Sequence, residues 1–121
     1  MPRSVELYLN DILTAVERIE NYVEGLDEES LASDQLRLDG ILYNLTTIGE
    51  AIKSIPESIR YQQPEARWRE AIRFRDRVAH HYFSIDHRII WEIASTDVPE
   101  LRVHVEKLLQ IIQQQGSDSQ S

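Results

Sequence analysis

The chain reads as an all-α protein, an antiparallel bundle of about five helices. Three observations predict this. Apolar residues recur at three- and four-residue steps along most of the 121 positions. Only four glycines and four prolines interrupt them. No stretch alternates with the two-residue period of a strand. A chain of this length supports one hydrophobic core. Residues 1–115 are assigned to a single helical domain, and 116–121 (GSDSQS) to a disordered tail.

The first helix covers about residues 3–25, with Val5, Leu7, Tyr8, Ile12, Ala15, Val16, Ile19, Val23 and Leu26 at helical spacing. Gly25 and the acidic DEES cluster break the pattern. Ser33 or Asp34 can cap a second long helix carrying Leu36, Leu38, Ile41, Leu42, Leu45, Ile48, Ala51 and Ile52. It ends before Pro56, because a residue that precedes proline is driven out of helical geometry. A short turn or helix covers 57–62. Pro64 suits the first turn of a third long helix, which runs to about Tyr82. Ser84-Ile85-Asp86 is a break, and Ser84 or Asp86 caps a helix containing Ile89, Ile90, Trp91 and Ile93. Thr96-Asp97-Val98-Pro99 signals the start of a final helix reaching about Gln114. The first two long helices are too apolar for a thin two-layer packing, so a homodimer is expected, with a compact monomer as the alternative.

The absence of cysteine excludes disulfides and thiolate metal sites and fits a reducing compartment. No apolar run reaches the ~18 residues of a membrane span, and the start turns polar too soon for a signal peptide. The expected location is cytoplasmic, without membrane partners. A net charge of −8 argues against broad, non-specific nucleic-acid binding, and DNA is not an expected partner. The charge is uneven: residues 60–88 hold seven arginines against four acids and three of the four histidines. Local helix salt bridges through Glu65 and Glu70 are one account of this basic island.

The island contains RDRVAHHYF, Arg75–Phe83. At ~100° per residue, Trp68, Ala71, Ile72, Val78, Ala79 and Tyr82 share an apolar side. Arg69, Arg73, Asp76, Arg77 and His80 share the polar one. Arg75 falls inside the apolar stripe, where an unpaired charge costs several kcal/mol. It must be paired, reach an edge or line a cavity. His80 is ~140° away from it on an ideal helix, so one helix does not aim both at one atom unaided. Asp76 stands four residues before His80 and can orient its imidazole. His80 and His81 also suit an ordinary helix C-terminus. Adjacent histidines diverge and no carboxylate stands at ligand spacing, so neither metal nor cofactor is expected.

Arg75, four residues, His80, one residue, Tyr82 resembles the motif of HEPN-domain ribonucleases in the form found in HepT-like toxins. The flanks are similar too: IGEAIKSIP (Ile48–Pro56), Pro64 and Trp68, HYFSIDHRIIWEI after the motif, and DVPEL (Asp97–Leu101). The likeness spans about residues 5–112. Asp76 replaces a frequent asparagine, and His81 a frequent glycine. The resemblance implies a helical homodimer with two motifs facing across a cleft, and metal-independent endoribonuclease activity. It also implies an MntA-type nucleotidyltransferase antitoxin that transfers AMP from ATP to Tyr82.

The residue chemistry is compatible. The His80 imidazole suits acid–base work on the ribose 2′-hydroxyl and leaving oxygen. Arg75 can brace phosphate oxygens, and Tyr82 can position phosphate through its hydroxyl. Arg69, Arg73, Arg77 and His81, with Arg88, are candidate RNA contacts. Two other readings stand beside this one. The chain is a non-catalytic partner that serves a nucleotidyltransferase, or a helical dimer whose Arg75 bridge is purely structural.

Overall fold

A computed structural model describes residues 4–120, with side chains through Gln115. Every regular element among them is helical. Helix α1 spans Val5–Val23, and the Ser4 hydroxyl accepts from the Leu7 N–H at 3.3 Å to cap it. Gly25 turns the chain at φ +76, a conformation that favours glycine. The acidic cluster does not simply break the pattern: it forms a short helix, α2 (Glu28–Ala32). Asp27 accepts from the Ser30 N–H at 2.8 Å while Ser30 Oγ accepts from the Asp27 N–H at 3.0 Å, a reciprocal cap.

Asp34 caps α3 (Gln35–Ser54), which stops ahead of Ile55-Pro56 as the sequence predicts. The single turn α4 (Glu57–Arg60) follows. Helix α5 spans Trp68–His81 and begins four residues later than Pro64 suggests. The reason is the Trp68 indole, whose N–H donates to the carbonyls of Arg60 and Gln63 at 3.1 and 3.0 Å. It ties residues 61–67 into a loop that precedes the helix.

A 3₁₀ turn, Tyr82–Ser84, ends α5, and Asp86 caps α6 (His87–Glu92). The expected helix start at Thr96–Pro99 is not a break. A π-helical turn, Ile93–Asp97, runs without interruption into α7 (Val98–Gln120). Pro99 has no N–H for the carbonyl four residues earlier, and the widened turn accommodates it. The Val98 N–H instead donates to the Ile93 carbonyl. The proposed tail, 116–121, lies outside the residues whose side chains are described.

Helix α1 packs on α3 and α7, α3 carries α5 on its other flank, and α2 lies against α6. The core joins Leu9, Ile12, Val16 and Ile19 of α1 to Ile41, Ile48 and Ile52 of α3 and Val105 and Leu108 of α7. Among the described residues, no helix is long and apolar enough to cross a membrane. This frame fixes α3 at the centre and leaves α5 lying along its outer side.

Candidate functional site

Gly49 allows α5 to approach α3 closely. A Cβ on Gly49 would meet Arg75 Cγ at 2.9 Å and the Ala71 carbonyl oxygen at 3.2 Å. From that seam the Arg75 guanidinium turns outward. One terminal nitrogen pairs with Glu50 of α3, and the other donates to Asp76 at 3.0 Å. Its Nε is buried without a hydrogen-bond partner. Of the possibilities open to an in-stripe arginine, two hold at once: Arg75 is paired, and it reaches an edge. Hydrogen bonds to Asp76 and Glu50 hold its charge more firmly than usual.

The rest of the apolar side departs from the helical-wheel expectation. Trp68 and Val78 are buried, Ala71, Ile72 and Tyr82 are half-buried, and Ala79 is exposed. Trp68 is held by the loop before α5, Ala71, Ile72 and Tyr82 pack against the core, and Ala79 stands exposed. Asp76 accepts from Arg75 rather than from His80. His80 is exposed and makes no hydrogen bond or ion pair among the described residues. His81 is exposed as well, and the backbone breaks there at φ −136.

That break turns Tyr82 back toward α3, where its hydroxyl donates to Asp39 Oδ1. Gln35 Nε2 donates to the same oxygen at 2.8 Å, one helical turn earlier. Burial, then the Asp39 carboxylate, pushes the Tyr82 phenol up to about 12. The same hydrogen bonds hold Asp39 below the usual carboxylate range.

Arg69, Arg73 and Arg77 occur at four-residue steps on the outer side of α5, and all three are exposed. Among the described residues none of them makes an ion pair, so salt bridging accounts for Arg60, Arg67, Arg75 and Arg88 of the basic island but not for these three. Arg88 differs, since it is clamped to Asp86 at 2.7 Å. On the far flank of α5 a groove of about 280 Å³ runs between α3, the π turn and α7, with Phe74, Ile93 and Leu101 in its wall and Arg77 at its rim. Among the described residues no three histidine or carboxylate side chains gather as metal ligands.

The pattern of Arg75, His80 and Tyr82 on a helix packed along α3 can be set beside known proteins. The family described as "Ribonuclease HepT-like" matches residues 12–108. The chain belongs to the HepT-like ribonuclease family. Ribonuclease is the activity that this membership assigns. The protein is 38% identical over 108 residues to "Probable ribonuclease HepT" of Thermococcus cleftensis, covering 89% of this chain and 98% of the relative. It is 31% identical over 119 residues to "Putative RNase MJ1216" of Methanocaldococcus jannaschii, covering 98% and 97%. No solved structure matches the chain.

In this HepT-like chain, the residues that sequence reasoning missed all come from α3: Gly49 and Glu50, which seat and hold Arg75, and Asp39 with Gln35, which hold Tyr82. Gly49 and Glu50 lie inside the IGEAIKSIP phrase, so that signal was available. Asp39 had none, since it stands 43 residues from its tyrosine.

Proposed function

We propose that this HepT-like protein is a metal-independent endoribonuclease toxin. It works as a homodimer and is silenced by AMP transfer to Tyr82 from an MntA-type nucleotidyltransferase. The observation that carries this reading is the contrast between Arg75 and His80. Two carboxylates hold Arg75 at the edge of the α3–α5 seam, while His80 stands unpartnered on the same outer ridge as Arg69, Arg73 and Arg77. A fixed cation and an unengaged imidazole are the two groups that RNA cleavage needs. The imidazole moves protons at the 2′-hydroxyl and the leaving 5′-oxygen. The guanidinium stabilises charge on the phosphorane. RNA is the substrate, and the ridge arginines, with His81 at its end, follow its backbone.

A second copy supplies what one helix lacks. On α3, Leu36, Tyr43 and Glu50 recur every seven residues and so share one stripe. Leu36 is 81% exposed and Tyr43 69%, an apolar track that leads to the Arg75 partner Glu50. Ala79 and Phe83 of the motif are exposed as well. Closing this face against its own copy buries the track and sets two motifs opposite each other. Acid and base then come from different subunits, which resolves the ~140° between Arg75 and His80. AMP on Tyr82 places a phosphate between the motifs and repels RNA.

The test is RNA cleavage by the purified protein in the presence of a chelator. The parent cuts; His80→Ala does not, and remains dimeric. Equal cutting by His80→Ala removes His80 from the mechanism. An inert parent supports the non-catalytic partner instead.

A further inference from the structure

We propose that Asp39 is the base that receives the Tyr82 proton when the phenol oxygen attacks the α-phosphorus of a nucleoside triphosphate. This rests on the reading of Tyr82 as the AMP acceptor and assigns that step a residue from a different helix.

The argument starts from hydrogen-bond direction. A phenol has one proton, and in Tyr82 it points to Asp39 Oδ1. What remains on the oxygen is lone pairs. An oxygen so arranged is a poor donor toward an RNA phosphate and a suitable attacker of an electrophilic phosphorus. The resting geometry therefore favours the nucleophile role of Tyr82 over the positioning role. Asp39 is in turn held in place: Gln35 Nε2 donates to it from its own helix at 2.8 Å. Tyr82 itself is placed by the 3₁₀ turn and packs, half-buried, against the core. Acceptor, base and orienting amide thus form a chain of three groups, the arrangement expected of an activated nucleophile.

The step balances within these groups and one nucleotide. A bond forms between Tyr82 Oη and the α-phosphorus. The bond from that phosphorus to the β-bridging oxygen breaks, and pyrophosphate leaves with the electron pair. The phenol proton passes to the Asp39 carboxylate and then to water. Because the phenol is held near 12, no phenolate accumulates beforehand, and the proton leaves as the attack proceeds. Hydrogen bonds from Tyr82 and Gln35 hold Asp39 below the usual carboxylate range, so it is ionised at neutral pH and hands the proton on to water rather than keeping it.

The experiment follows the mass of the full-length protein incubated with ATP and an MntA-type nucleotidyltransferase. The parent should gain adenylyl groups and Tyr82→Phe none. A parent that gains none, or a Tyr82→Phe variant modified like the parent, overturns the reading of Tyr82 and this proposal with it. Asp39→Asn keeps an acceptor for the phenol but loses the basic carboxylate. Its modification rate should fall about 100-fold, the usual contribution of a positioned base, and should rise with pH where the parental rate is flat. Asp39→Glu should recover part of the rate. If the parent is modified and Asp39→Asn matches its rate, or is slowed with an unchanged pH profile, Asp39 is not the base.

Discussion

Gly49 of α3 lies under the aliphatic stem of Arg75, with no room for a methyl group between them. Arg75 Cγ and the Ala71 carbonyl would lie 2.9 and 3.2 Å from the added carbon. The carbonyl belongs to backbone and cannot swing aside. Overpacking of this kind costs about 1–3 kcal/mol, offset by the ~1 kcal/mol that alanine gains over glycine inside a helix. Gly49→Ala should therefore lose about 1 kcal/mol in chemical denaturation, while RNA cleavage falls much further because the guanidinium is displaced. A variant as active as its parent would show that the seam does not place Arg75.

The exposed arginines of α5 predict how cleavage responds to salt. Each phosphate contact contributes about 0.7 to the log–log slope of single-strand binding against salt. Arg69→Gln, Arg73→Gln and Arg77→Gln should each raise KM and flatten that slope by about this amount. Arg88→Gln should do neither, because its charge is already matched by Asp86. Equal effects at Arg73 and Arg88 would dissolve the ridge as an RNA track.

Tyr82 makes the protein sensitive to alkali. Its phenol ionises near 12 in the folded chain against 10.0 for an unperturbed tyrosine. Between those values the folded state holds the proton and the unfolded state does not. The stability this confers is complete below pH 10 and is lost as the pH climbs toward 12. In urea unfolding followed across that window, the parent should weaken more steeply than Tyr82→Phe. Parallel curves would mean that the bond to Asp39 does not persist in solution.

Tyr43 tests the second copy. It is two-thirds exposed on a stripe shared with Leu36 and Glu50. Tyr43→Glu should leave the helical content intact, reduce the sedimenting species to one chain, and abolish cleavage along with the pairing of motifs. A dimer that survives Tyr43→Glu and Leu36→Glu together is formed by another face.

Much of the fold was legible because it depends on local signals. Asp34, Asp86 and the Ile55-Pro56 pair mark element ends by chemistry that acts within three or four residues. The failures needed information from farther away. Pro64 looked like a helix start until an indole four residues on bound the loop before it. Pro99 looked like a boundary because sequence patterns describe α-helical turns and not π ones. At the site, Arg75 betrayed itself by sitting in an apolar stripe. Glu50 is brought to Arg75, and Asp39 to Tyr82, only through the antiparallel packing of α3 and α5. Asp76 was within reach of both His80 and Arg75, and the structure gives it to the arginine.

The π turn at Ile93–Asp97 holds one residue more than an α-helical turn does. One residue turns an α-helix by ~100°, and the wider turn takes up that rotation. Ile90 points inward before it, Ala94 within it, and Val105 and Leu108 after it. Deleting one residue between Glu92 and Val98 would close the wide turn into a plain α-helical one and leave the inward edge of α7 against α1, whereas deleting two would turn that edge away by ~100°. The turn is thus a point in this rod where the chain can lose a residue without re-aiming its core.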